Sequence, residues 1–149
     1  MTNVAADLRT RIESALPVLR ALSEADVSEN RDAGKWVKKE ILGHLIDSAV
    51  NNHQRFVRAQ FESPFVGPGY DQKAWVQASG YRRRAWVELI DLWAALNRQL
   101  ASVMELIPAD RLATPCVIAN NPPATLEWVM ADYVDHMNHH LEQIIGHGR

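Results

Sequence analysis

His136 and His140 stand four residues apart near the C-terminal end of the chain, and His44 lies far upstream. Histidines at i and i+4 of a helix project from one face with Cβ atoms ~5–6 Å apart, close enough to grip one ion. A third imidazole from a neighbouring helix would complete an open site, with three protein ligands and a position left for water or substrate. Catalytic metals use that layout more than structural ones do.

Four segments with helical periodicity must do the positioning, and none of the chain shows convincing strand alternation. Leu8, Ile12, Leu16 and Leu19 form the first apolar stripe. The second segment runs from about Trp36 to Phe61, with Ile41, Leu45, Ala49 and Phe56 along one side. Trp86, Ile90, Trp93, Leu100 and Ile107 mark the third, and Leu126, Met130, Tyr133, Met137 and Ile144 the fourth. Thr125 can cap the last helix and Gly146 can stop it. The connections Glu62 to Tyr81 and Pro108 to Pro123 are rich in Pro and Gly and too long for tight helix–helix turns. The first has room for a short helix around Gln72 to Gln77. The expected fold is all-α: a four-helix bundle with long crossover connections, not simple up-down-up-down, in one domain over residues 1–149.

A helical wheel at ~100° per residue places His140 roughly 60° from the centre of the fourth stripe and His136 roughly 100° from it. His139 points nearly the opposite way. The outer two therefore border the core, and the middle one faces solvent. On the second helix His44 and His53 flank the apolar stripe on opposite sides, about 13 Å apart along the axis, so they cannot serve one ion. Periodicity does not choose between them.

Composition narrows the function classes. The chain has 149 residues, 47% of them hydrophobic and 23% charged, with a net charge of −2, so charge suggests neither a nucleic-acid nor an anionic-membrane partner. The single cysteine, Cys116, can form no internal disulfide and excludes a cysteine-based zinc cluster. The N-terminal stretch lacks the apolar core of a signal peptide, and no run reaches the ~18 apolar residues of a membrane span. A cytoplasmic protein is expected.

The stretch from Gly34 through Trp36, His44 and Ser48, and the stretch from Thr125 through His136 and His140 to Ile144, resemble the second and last helices of the DinB-like superfamily of metal-binding four-helix bundles. That resemblance implies a divalent metal, nickel or zinc, held by one histidine of helix two and the pair on helix four. These roles fall on His44, His136 and His140. Val37 departs from the Ser or Thr usual after the tryptophan, which weakens the helix start rather than the site. The resemblance also implies a homodimer and a spread of small-molecule activities: thiol S-transfer with low-molecular-weight thiols, maleylpyruvate isomerisation, and hydrolysis.

Several residues around this core set have types and positions suited to supporting roles. Asp47, one turn after His44, and Asp132, one turn before His136, are candidates to orient the free imidazole nitrogens, or else are solvated helix carboxylates. Met137 stands where a zincin helix would carry its glutamate, so no general base is built into that motif. Tyr70, Asp71 and Tyr81 belong to a crossover that could reach the site. His53, His139 and His147 read as surface or satisfied histidines. Cys116 reads as a small buried side chain, and Arg82, Arg83 and Arg84 as a solvated basic turn, with carboxylate binding the alternative. Trp36, Trp75, Trp86, Trp93 and Trp128 mostly read as core. The resulting expectation is a metal-dependent enzyme of the transferase or hydrolase type. The alternative is a non-catalytic protein, either metal-stapled in a stress response or acting through a dimer face.

Overall fold

Four long helices carry the architecture of the computed structural model, which describes residues 3–30 and 32–146. They are α1 (Val4–Ala21), α3 (Lys38–Arg58), α5 (Trp86–Leu106) and α6 (Leu126–Ile145), with shorter α2 (Glu24–Ser28) and α4 (Gln72–Ser79) between them. Helix α1 packs on α5 and α6, and α3 packs on those same two. Helices consecutive in the bundle's sequence order, α1 with α3 and α5 with α6, therefore sit at opposite corners. The diagonals are spanned by residues 22–37, which hold α2, and by the expected crossover Pro108 to Pro123, whereas Glu62 to Tyr81 joins the neighbours α3 and α5 rather than crossing the bundle. Leu8, Ile12, Leu45, Leu89, Trp93, Leu100 and Leu141 are buried along the shared axis.

The helix ends follow local chemistry. The hydroxyl of Thr125 accepts a hydrogen bond from the Trp128 amide at 3.1 Å, capping α6 as its sequence suggested. Gly146, with φ 86°, follows its last turn. At the start of α3, Val37 has no side-chain acceptor to offer, and Glu40 compensates by accepting from the Val37 amide at 3.1 Å. Arg82 bonds the same carboxylate at 3.0 Å, and Arg84 pairs with Glu88. Two members of the arginine run are thus ion-paired rather than merely solvated.

Two expectations need correction. The five-residue helix α2 went unrecognised because it is too short for a period. A small sheet also exists: β1 (Phe65–Gly67), β2 (Pro115–Ile118) and β3 (Ala124–Thr125), in the order β1-β2-β3. β1 and β2 run parallel, with Phe65 opposite Cys116 and Gly67 opposite Ile118, whereas β2 and β3 are antiparallel. Strands this short show no alternation, and β1 finds its partner across the intervening α4 and α5. The sheet ties the two crossovers into one wall beside α3 and α6.

Candidate metal centre

Antiparallel packing of α3 on α6 sets the beginning of one helix against the end of the other. His44 in the first half of α3 thereby meets His136 and His140 in the last half of α6. His44 is fully buried, and the other two are half-buried. The Nε2 atom of His136 lies 3.4 Å from Nε2 of His44 and 3.1 Å from Nε2 of His140. The three potential ligand nitrogens all fall within 4.8 Å of one another. Among the described residues, His53 and His139 stay outside the group: His139 is exposed on the far side of α6, and His53 is half-buried further along α3. His147 lies outside the described residues.

This donor set fits a metal ion. Tetrahedral bonds of ~2.0–2.1 Å place neighbouring ligand nitrogens roughly 3.3 Å apart, which matches the spacing of these imidazoles. Three neutral imidazoles cannot satisfy one another at a single point, because each Nε2 freed of its proton is only an acceptor. The far nitrogen of His140 is already committed, since Nδ1 lies 2.9 Å from Oε1 of Gln143. A proton held there on Nδ1 leaves the Nε2 lone pair free for ligation. Sequence reading overlooked Gln143, although its i+3 spacing from His140 was the available signal.

Trp36 forms a wall against His44, with ring centroids 5.1 Å apart. Burial, reinforced by the proximity of His140 and His136, pulls His44 down to about 4. His136 is lowered too, first by burial and then by His140, while Asp132 works in the opposite direction. Both shifts favour the neutral imidazole that ligation requires.

The two candidate orienting carboxylates are placed differently. Asp47 is buried and accepts a 2.6 Å hydrogen bond from the Tyr81 hydroxyl. No hydrogen bond joins it to His44, whose Nδ1 has no partner. Burial raises Asp47, partly offset by the Tyr81 bond. Asp132 is exposed on α6 and borders a cavity of about 880 Å³ that begins at His136 and runs between α3, α6 and the two crossovers. Ser48, Asn52, Tyr70 and Trp128 are among its walls. Trp128 is 58% exposed, so that tryptophan is a cavity wall rather than core, and the partly exposed Trp75 packs its ring against Tyr70. Asp71 instead caps α4 by accepting from the Ala74 amide. Cys116 is buried on β2 at the cavity, and burial pushes its thiol up, which suits an inert small side chain.

The depressed histidine makes stability pH-dependent in metal-free protein. Between the unfolded value of about 6.5 and the folded value of about 4, the unfolded chain binds more protons at this position. His44's contribution is therefore complete above pH ~6.5 and is lost as the pH falls towards 4. A shift of this size corresponds to up to about 3 kcal/mol, and the raised Asp47 offsets part of it. Urea melts of chelator-treated protein should show lower stability at pH 5 than at pH 7.5, and a His44→Gln variant should show a smaller difference. An equal difference in both proteins would remove His44 as the cause.

The geometry can be set beside known proteins. A match to the DinB superfamily covers residues 7–144. "Putative metal-dependent hydrolase BH0277" of Halalkalibacterium halodurans is 24% identical over 136 residues, 91% of this chain and 79% of its own length. "Putative metal-dependent hydrolase YfiT" of Bacillus subtilis is 30% identical over 122 residues, 76% of this chain but only 64% of the relative. The solved structure of Bacillus subtilis YfiT, described as a probable metal-dependent hydrolase with an unusual four-helix bundle topology, aligns with a TM-score of 0.79 at 20% identity. The alignment covers 94% of this chain and 83% of that one.

Proposed function

The chain belongs to the DinB superfamily, and on that premise we propose that it is a metal-dependent enzyme acting on a small molecule, by hydrolysis or by transfer to a low-molecular-weight thiol. One observation carries the reading: three imidazole nitrogens converge at the end of a cavity large enough for a substrate. In this reading His44, His136 and His140 hold one divalent cation, nickel or zinc. When bound there, such an ion supplies Lewis acidity, which polarises a carbonyl or acidifies water or a thiol.

The chain's own residues do the rest. Gln143 keeps the proton of His140 on Nδ1, directed away from the centre. Trp36 and the surrounding core exclude water from His44. Asp132, at the cavity wall one turn before His136, is the carboxylate we assign to orienting that imidazole. Asp47 is committed to Tyr81, so its influence on His44 runs through the shape of α3 rather than through a direct bond. The reading further takes residues 1–149 as one cytoplasmic domain that works as a homodimer.

A second reading has its own support: His44 is fully buried between helices, where an ion could simply staple α3 to α6. The two separate in a screen of metal-loaded protein against activated esters and against electrophiles plus small thiols. An enzyme should lose at least about a hundredfold in rate on His140→Ala with its fold retained. A staple should show no turnover in any arm, together with a large metal-dependent rise in Tm.

A further inference from the structure

Arg55 lines the same cavity as His136, and among the described residues no other lining residue is a fixed cation. It lies eleven residues beyond His44 on α3. That is three turns, on nearly the same helical face and about 16 Å along the axis. Ser48 and Asn52 occupy the turns between, so one face of α3 carries His44, two neutral polar side chains and then a guanidinium. Several other arginines take carboxylate partners, Arg9 with Glu105 at 2.8 Å, Arg98 with Glu13 at 2.9 Å and Arg20 with Asp91 at 3.0 Å, while Arg11 bonds a neutral oxygen, Oδ1 of Asn138, at 3.2 Å outside the cavity. Among the described residues no carboxylate lies within ion-pair distance of Arg55. Its contacts are long ones to neutral oxygens, 3.4 Å to Asn52 Oδ1 and 3.3 Å to the Pro68 carbonyl.

A half-buried guanidinium without a counter-ion is costly unless an anion completes it. Burial lowers its pKa, the direction expected of a cation short of compensation. Its planar fork matches a carboxylate with two parallel N–H donors. A phosphate dianion would call for a second cation, and the described residues of the cavity wall supply none. Tyr70 and Trp128 offer apolar surface between the two ends.

We propose that Arg55 is the specificity-determining residue of the site, binding the carboxylate of a small acidic substrate whose reacting group lies at His136. This rests on the metal-enzyme reading above and narrows its substrate to the class of ω-functional carboxylic acids.

The test uses zinc-loaded protein and α,ω-dicarboxylic acid monohydroxamates with four, six or eight methylenes, whose hydroxamate chelates the metal. Each is compared with the matching primary amide, which differs only in lacking the terminal charge. For the best spacer, calorimetry should find the acid about tenfold tighter than the amide. Arg55→Gln should reduce that ratio to about one, and Arg55→Lys should retain part of it, each with no loss of Tm. A ratio near one in the unmodified protein, unaltered by Arg55→Gln, would overturn the proposal and leave Arg55 as a strut to the Pro68 loop. Loss of binding by both probes, or binding that survives His140→Ala unchanged, would count against the metal reading instead. In that event the same pair titrated into metal-free protein, followed by tryptophan fluorescence, decides the role of Arg55. An Arg55-dependent preference for the acid upholds it, and indifference ends it.

Discussion

Replacing His136 with alanine is expected to lower divalent-metal affinity at least about a hundredfold while the bundle stays folded. Loss of an orienting neighbour alone costs 10–100-fold, and His136 is the middle member of the triad, with its Nε2 within 3.4 Å of both other imidazoles. His44 and His140 alone would leave the ion only two protein ligands. His44→Ala and His140→Ala should lose affinity similarly. His53→Ala and His139→Ala should retain it, because neither ring belongs to the converging group. Elemental analysis of untagged protein after nickel or zinc loading, with a competition titration for affinity, reads all five variants. Stoichiometric metal in His136→Ala would sink the assignment. The metal-free protein should tolerate this variant well, since the half-buried imidazole of His136 bonds only the other two histidines.

The second large effect is expected at Gly43, immediately before His44. Alanine inside a helix normally gains roughly 1 kcal/mol over glycine. Here the sign should reverse. A Cβ on residue 43 would stand 2.0 Å from Cδ2 and 2.4 Å from Cγ of Tyr81. That ring is only 4% exposed and is held by its 2.6 Å bond to Asp47, so it cannot swing away freely. Accommodation must push the crossover off α3 or bend α3 itself, and overpacking of this kind costs about 3 kcal/mol. Breaking the Tyr81–Asp47 bond would also leave a buried carboxylate unsatisfied. Chemical denaturation of Gly43→Ala should therefore show a marked loss of stability. The double variant Gly43→Ala/Tyr81→Ala should cost less than the sum of its parts, because the two residues share one contact. A Gly43→Ala protein as stable as the original would show that the Tyr81 ring is not held against α3.

Much of this was legible in the residues themselves. Four apolar stripes of helical period mark α1, α3, α5 and α6, and the length of the Pro108 to Pro123 connection points to an order other than simple up-down. The wheel of α6 separates His136 and His140 from His139, since direction around a helix depends only on residue spacing. Thr125 and Gly146 mark the ends of α6 by local hydrogen bonding and φ. These are properties of neighbours in the chain, decided within one or two turns.

Other features depended on which segments meet. Periodicity left His44 and His53 level, and only the resemblance favoured His44. The packing of α3 against α6 brings His44 to the pair and keeps His53 out. The pairing of Phe65 with Cys116 closes the two crossovers into a cavity wall, though neither strand is long enough to announce itself. Asp47 looked like a partner for His44 one turn away, yet it bonds Tyr81, which arrives across the bare backbone at Gly43. Nothing in the spacing around Arg55 marks it, because only the fold shows that no carboxylate among the described residues lies within ion-pair distance of it. A helix's sequence states which face is apolar, because that follows from a fixed 100° step. It does not state which helix or loop will cover that face, because distant segments are chosen by the packing of the whole core.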